Sequence, residues 1–470
     1  MMNPAQIERR LVKMNAEILE SFPSENAVLL TDYQAFSETR ELDGKRVTVW
    51  TKALQRALDE NALVRIPESD VPYDFDGPVL MNSGNRICAD GATMRLLPNV
   101  RTLLLRNRSV TDGSDAPEDK SVLPDENLSV EGGTWVESRT FRQGYGSSGC
   151  FDENHSMPGV STLMLFSNVR NLSIRNVVIS HAAGFGIQIG NAQRAVAENV
   201  SFVSCFADGV HLNGNIRDVL VRNITGEVGD DLVALNPYDW DNSGINFGPA
   251  ECVMIDGVVS GPTNPYKAIR ILPGIYEYRD GSESDCYIDD LYLRRVKGIK
   301  SYKLYLQTPP YRDAPEHPAR VGHCGNLYFE ELDIDLDGQI DAGIYESVRY
   351  RDGYNIFGAF EVGANIELMR FDNIRLTLHT DEYPESCLVS VGPKSICLPN
   401  DSGTIMEIFD PYISCKVRRA EFHNITVNGD AHPDPSRLLR VIEMRVNPDF
   451  PNTLPRGGNG RGEVEELIFD

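Results

Sequence analysis

A short β-type pattern with a polar hinge recurs along this chain, and that recurrence restricts the possible fold more than any other feature. It reads NLSIRNVVIS from Asn171, RAVAENVSFVS from Arg194, RDVLVRNITGE from Arg217 and ECVMIDGVVSG from Glu251. Later copies read CYIDDLYLRRV from Cys286, NLYFEELDIDL from Asn326, IELMRFDNIRL from Ile366 and CKVRRAEFHNITV from Cys415. The hinge is often asparagine, at Asn176, Asn199, Asn223, Asn373 and Asn424, and the first three fall 23 and 24 residues apart. Apolar residues alternate with period two on either side of the hinge, which fits strands and excludes a helical solenoid. A period in the low twenties fits one coil of a parallel β-helix, whose coils bury a core only by stacking. An antiparallel sandwich with regular turns is the alternative.

The expected fold class is therefore all-β: a right-handed single-stranded parallel β-helix, a solenoid with an N-terminal capping helix. Residues 1–46 read as an N-terminal helix and lead-in, 47–430 as the β-helix domain, and 431–470 as a C-terminal tail or last rung. The stripe Ala53, Leu54, Ala57 and Leu58 belongs to an amphipathic helix suited to closing an exposed core end. Strand-like coils follow through 79–81, 93–97 and 103–105, and 127–138 opens the more regular rungs. Long polar loops at 112–126, 138–159, 238–248, 309–324 and 345–354 fall between rungs, where solenoids collect insertions on one face.

Side chains alternate in and out along a strand. Aligning apolar pairs as inward gives Ile187/Ile189, Val210/Leu212, Val233/Leu235, Ile269/Ile271 and Leu304/Leu306. The residues between them then form one outward column, Gln188, His211, Ala234, Arg270 and Tyr305. A second column, two positions before the first apolar residue of each pair, holds Phe185, Asp208, Asp231, Lys267 and Tyr302. Asp208 and Asp231 are 23 residues apart in the chain, yet stacked coils would separate them by about 4.8 Å of backbone, with Asp230 alongside. Like charges so close raise at least one pKa. A protonated acid beside an ionised carboxylate is what glycoside hydrolysis requires. The structural alternative is that Asp208-Gly209 begins a turn and Asp230-Asp231 solvates the next.

These residues carry a resemblance to the polygalacturonase-like group, glycoside hydrolase family 28, within the pectin-lyase-like β-helices. That family shows N-T-D-G, then G-D-D one coil later, then G-H-G, then R-I-K. Here the first is reduced to Asp208-Gly209 after Phe206-Ala207, the second is intact as Gly229-Asp230-Asp231, the third is absent, and the fourth survives as Arg270-Ile271-Leu272. The resemblance implies an inverting hydrolase with Asp231 as acid and Asp208 and Asp230 as base candidates, labels that are exchangeable within the cluster. The column alignment and the 238–248 loop set His211, Lys267, Arg270, Tyr305, Trp240, Gln188 and Tyr302 as candidates around the substrate. Leu272 in place of the family lysine removes one grip on a uronic acid, for which Lys267 and Arg270 are substitutes. Trp240 is suited either to stacking on a sugar ring or to packing under its loop. His317 and His323 lie in a loop within reach of the same face. No cofactor and no metal is expected.

A formal charge of −24, from 69 acidic and 45 basic residues, repels phosphate backbones and anionic membranes. The expected partner is an oligosaccharide substrate, not nucleic acid or a membrane, and β-helix flanks allow homo-oligomers. Nine scattered cysteines without a CxxC pair, and an N-terminus lacking an apolar signal core, make the expected location cytoplasmic. A short oligosaccharide trimmed from one end suits that location. Two rival functions stay open. A β-helix polysaccharide lyase or fructotransferase-like enzyme would draw on Lys267, Arg270 and Tyr305, and a lyase would release an ultraviolet-absorbing product. A non-catalytic glycan-binding or structural β-helix would be indifferent to Asp231→Asn.

Overall fold

A computed structural model describes Met2 to Asp470 apart from residues 23–25, 99, 101, 112–116, 118–119, 138–148, 151–155, 158–161, 240–242, 265–266, 279, 306–320, 338–357, 393–394, 400–404, 410–413 and 442–460. For residues 149–150, 156–157, 305, 395–399 and 405–409 it describes the backbone alone. The chain is a right-handed parallel β-helix. Each regular coil carries a short strand and then a longer bent one. Val210–Asn213 precedes Ile216–Val228, Asp231–Asn236 precedes Ala250–Ser260, and Ala268–Ile271 precedes Ile288–Lys297. Ser301–Tyr305 and His323–Leu336 make the next coil, and Gly358–Gly363 and Asn365–Leu378 the one after. The short strands pair with short and the long with long, all parallel.

The hinges are bends in the left-handed backbone region. Asn176, Asn199, Asn223, Asn373 and Asn424 have φ of 55°, 56°, 54°, 56° and 54°. That region disfavours most L-residues, and asparagine tolerates it because its short amide bonds locally. Here the amides also bond from coil to coil: Asn199 Nδ2 donates to Asn176 Oδ1 at 2.9 Å, and Asn223 Nδ2 to Asn199 Oδ1 at 2.9 Å. Beneath the bends the core is continuous from Leu30 to Leu438. Phe329, Phe371 and Phe422 stack within it at centroid spacings of 5.0 and 5.2 Å, and Phe469, 40% exposed, continues the stack at 5.4 Å beyond it. These are the coil repeat itself, relaxed by ring offset.

Outside the core, the register turns single positions into columns. One alternates in sign, Glu131, Arg175, Glu198, Arg222, Asp256, Arg294 and Glu330, each beside the next. Asp256 lies fully buried at its centre and contacts Arg294 at 3.2 Å and Arg295 at 2.6 Å. Another column is apolar: Val196, Leu220, Met254, Tyr292 and Tyr328. Helix α1 (Pro4–Glu20) lies across it and buries Ile7, Leu11, Met14 and Ile18 there, each worth about 1.5–3 kcal/mol on full burial. Asn3 caps the helix by accepting the Gln6 N–H at 3.0 Å. Arg10–Asp218 at 2.6 Å and Arg294–Glu8 at 2.6 Å pin it to the coils. Helix α1 is therefore a cover on the flank. Closing the core end falls to α2 (Thr51–Glu60), whose Ala53, Leu54, Ala57 and Leu58 sit in the main core.

The described cysteines 88, 205, 252, 286, 324, 387 and 415 are free and buried. Among the described residues no helix is long and apolar enough to cross a membrane. The connections at 237–249 and 272–287 both follow strands of the short-strand column in the chain.

Asn199 tests the bends directly. Asn199→Val should lower stability by about 1–2 kcal/mol, because a branched side chain opposes positive φ. Asn199→Gly should be near neutral, as read by urea denaturation. An equal loss in both variants would place the contribution in the amide ladder instead.

Candidate active site

The short strands present the outward column Gln188, His211, Ala234, Arg270, Lys303 and Glu361 in continuous register. Two bends deliver the aspartates to it. Asp208 and Gly209 lead into Val210–Asn213, and a side chain on Gly209 would approach the Leu232 carbonyl to 2.5 Å. Gly229 is constrained likewise, its added carbon falling 2.1 Å from the Phe206 carbonyl. The glycines of both motifs are thus demanded by coil-to-coil approach. After Asp231 the register slips: Asp231 pairs with Ala268 and Val233 with Ile269, so Leu232 is an extra residue on its strand. Leu232 enters the core, and Asp231 is left on the outer side.

One oxygen from each of Asp208, Asp230 and Asp231 lies within 4.8 Å of the others. The three are not equivalent. Asp208 is fully engaged, its Oδ1 accepting the Asp231 N–H at 3.0 Å and its Oδ2 lying 2.6 Å from His211 Nδ1. Asp230 keeps 23% of its side chain exposed and meets Arg270 at 3.4 Å. Asp231 is wholly buried, and among the described residues neither of its oxygens receives a hydrogen bond. Arg270 Nε comes within 3.0 Å of Asp231 Oδ2 but off the N–H direction, so the contact is a close electrostatic approach without a hydrogen bond. Burial drives the Asp231 pKa well above the usual carboxylate range. Arg270 opposes that, Asp230 and Asp208 add to it, and Lys303 opposes it more weakly.

Three close carboxylates also have the spacing to share a cation, but the Arg270 guanidinium already supplies positive charge to two of them. His211 is buried, with Nε2 2.7 Å from Asp239 Oδ2 and its ring stacked on Phe185 at 4.0 Å. Burial lowers its pKa, yet the bonds to Asp208 and Asp239 outweigh that and raise it to about 9. Gln188 is buried as well, its amide nitrogen donating to Asn213 Oδ1 at 2.8 Å and to the Ser243 carbonyl at 2.9 Å.

The structure corrects several expected placements. Tyr302 is not on the outward face: it pairs with Ile269, stacks on Phe360 at 4.2 Å and is fully buried in the core. The inward pair of that coil is Tyr302/Leu304, so the column position beside Arg270 belongs to Lys303 rather than Tyr305. The backbone of Tyr305 pairs with Gly363, and its side chain lies outside the described residues, as do Trp240 and His317. Lys267 falls out of its column because the slip at Leu232 sets Ala268 beside Asp231, leaving Lys267 in a left-handed bend with φ 46°. His323 is turned to Asp285 at 3.6 Å and to the Tyr287 ring, away from the aspartates. Gln188 serves a buried network with Asn213 and Ser243 instead of an open surface.

Asp239, Lys303, Glu361 and Asn236 join the site without having been anticipated. Asn236 is buried, and neither of its amide atoms has a partner among the described residues. Lys303 and Glu361 follow from the corrected register. Asp239 has no periodic signal, being placed by the loop. Leu272, at the family lysine position, packs with Tyr238, Phe247, Tyr276, Tyr278 and Cys286 in a separate apolar cluster, where an ammonium would be desolvated.

No protein-family model matches the sequence, and no curated protein matches it. The fold is similar to an exopolygalacturonase from Thermotoga maritima, at 14% identity and TM-score 0.44, covering 89% of this chain and 96% of that one. It is also similar to the surface protein and adhesin PfbA of Streptococcus pneumoniae, at 12% identity and TM-score 0.41, covering 95% and 100%. A third is the catalytic domain of a GH87 α-1,3-glucanase in complex with nigerose, at 12% identity and TM-score 0.40, covering 80% and 64%. Likeness at this level leaves the activity to be argued from the site.

The raised Asp231 pKa has a stability consequence with a definite sign. Between the ordinary aspartate pKa near about 4 and the raised folded value, the unfolded chain releases this proton more readily, which favours unfolding. Asp231→Asn should therefore be more stable than wild type at pH 7 to 8, with the advantage fading as pH falls toward about 4. Thermal melts across that range check it, and a constant or reversed difference contradicts it.

Proposed function

We propose that the chain is a glycoside hydrolase that cleaves an O-glycosidic bond in an oligosaccharide by acid/base catalysis, from one end of the substrate. The observation that carries the proposal is the pairing of a buried Asp231, whose pKa burial raises, with a partly exposed Asp230, with oxygens within 4.8 Å. Asp231 gives its proton to the leaving glycosidic oxygen as the bond from that oxygen to the anomeric carbon breaks. Water attacks the anomeric carbon and yields a proton to Asp230. The new charge on Asp231 is met by Arg270 Nε at 3.0 Å, which stabilises the ionised acid after transfer. Asp208 positions Asp231 through its backbone N–H.

Ala234, between His211 and Arg270, is the smallest side chain of the column. The apolar cluster around Leu272 and Tyr276 stands just downstream of Arg270, and a wall there supports cleavage from a chain end. Inversion is the course proposed, as the resemblance implies. The approach of the oxygens within 4.8 Å is shorter than the roughly 6.5–9.5 Å usual for inverting pairs, so the water must enter beside the pair.

Three outcomes check this reading. On a panel of nitrophenyl glycosides and natural oligosaccharides, Asp231→Asn and Asp230→Asn should each lower kcat by about 10²–10⁴, and turnover equal to wild type would sink the assignment. Proton NMR of the first-formed sugar should show the inverted anomer. Release of an unsaturated, ultraviolet-absorbing product would identify a lyase instead.

A further inference from the structure

Both ring nitrogens of His211 point at carboxylates, Nδ1 at Asp208 Oδ2 and Nε2 at Asp239 Oδ2, with separations of 2.6 and 2.7 Å. Ionised carboxylates accept and do not donate, whereas a neutral imidazole carries one N–H. Satisfying both contacts therefore takes the doubly protonated ring. Three other observations agree. The Phe185 ring lies stacked on the imidazole at 4.0 Å, a position where an aromatic face attracts a cation. Asn213 Nδ2 lies 3.2 Å from Asp239 Oδ2 and donates to it, which supports that carboxylate from a second side. Asp208 uses its other oxygen to accept the Asp231 N–H. A continuous chain thus runs from Asp239, in the connection after Asp231–Asn236, through His211 and Asp208 to the backbone of Asp231.

We infer that His211 is a positioning residue, held as an imidazolium between Asp208 and Asp239, that fixes the backbone of Asp231 and ties Asp239 to it. The role rests on the hydrolase reading above. It divides labour among the acids: Asp208 is neutralised by His211 and kept from acting as the base, and Asp231 carries the transferable proton. The titratable groups facing the ring are Asp208 from its own bend and Asp239 from the 237–249 connection. Its lateral neighbours Gln188 and Ala234 carry no charge. With its pKa raised to about 9, the imidazolium contribution is complete below the ordinary histidine value near about 6.5 and is lost as pH rises through about 9.

Two measurements on the full-length protein test this without using turnover. Nitrogen-15 NMR, with His211 assigned through His211→Gln, should show both ring nitrogens protonated at pH 7.5, and a singly protonated ring there would overturn the inference. Hydrogen exchange of the Asp231 amide should quicken by at least about tenfold in Asp239→Asn at the same pH, consistent with loss of about 1.4 kcal/mol of protection. Asp239→Glu, which keeps the carboxylate, should stay closer to wild type and so separates the effect from misfolding. Unchanged exchange in Asp239→Asn would overturn the positioning role. Absence of glycoside cleavage by wild type, with both signals as expected, would count against the hydrolase reading alone.

Discussion

Parallel backbone hydrogen bonding between successive coils is the interaction on which everything else in this molecule depends. It holds equivalent residues about 4.8 Å apart, so a favourable side chain is multiplied along the stack and an unfavourable one is too. Asparagine at the bends and phenylalanine in the core are the multiplied kind. Charged residues on the outer face avoid self-repulsion by alternating in sign from Glu131 to Glu330. Against that background, three acids gathered at one point on the short-strand face are an exception to how the rest of the surface is built.

The exception is sustained by local compensation of three kinds. His211 faces Asp208, Arg270 reaches Asp230 and Asp231, and burial raises the pKa of Asp231. Removing any one of these would leave uncompensated charge in a poorly solvated place. A bulge at Leu232 makes the geometry possible, because it frees Asp231 from the inward phase of its own strand. The same slip expels Lys267 from the column, so one irregularity both builds the acid pair and sets its surroundings.

Much of the fold was legible because its signals repeat. The Asn hinges, the alternation of apolar residues and the D-G and G-D-D spacing led to the β-helix and to three aspartates the structure brings together. Register departs one coil later, where the apolar pattern points to Leu304/Leu306 and the inward pair is Tyr302/Leu304. A tyrosine reads as amphipathic in sequence, yet Tyr302 is buried whole and its hydroxyl has no partner among the described residues. Lys303 and Glu361 were hidden by that two-residue slip. Asp239 was hidden for another reason, since its position is set by a loop and carries no period. The flank-covering role of helix α1 was also invisible, although its apolar stripe was plain, because a stripe does not name the surface it meets.

The central claim is a proton on Asp231 beside an ionised Asp230 near neutrality. Neutron diffraction from crystals at near-neutral pD locates that hydrogen directly. The account predicts deuterium on one Asp231 oxygen and none on Asp230. Deuterium on Asp230 with Asp231 bare, or both carboxylates bare, would contradict it.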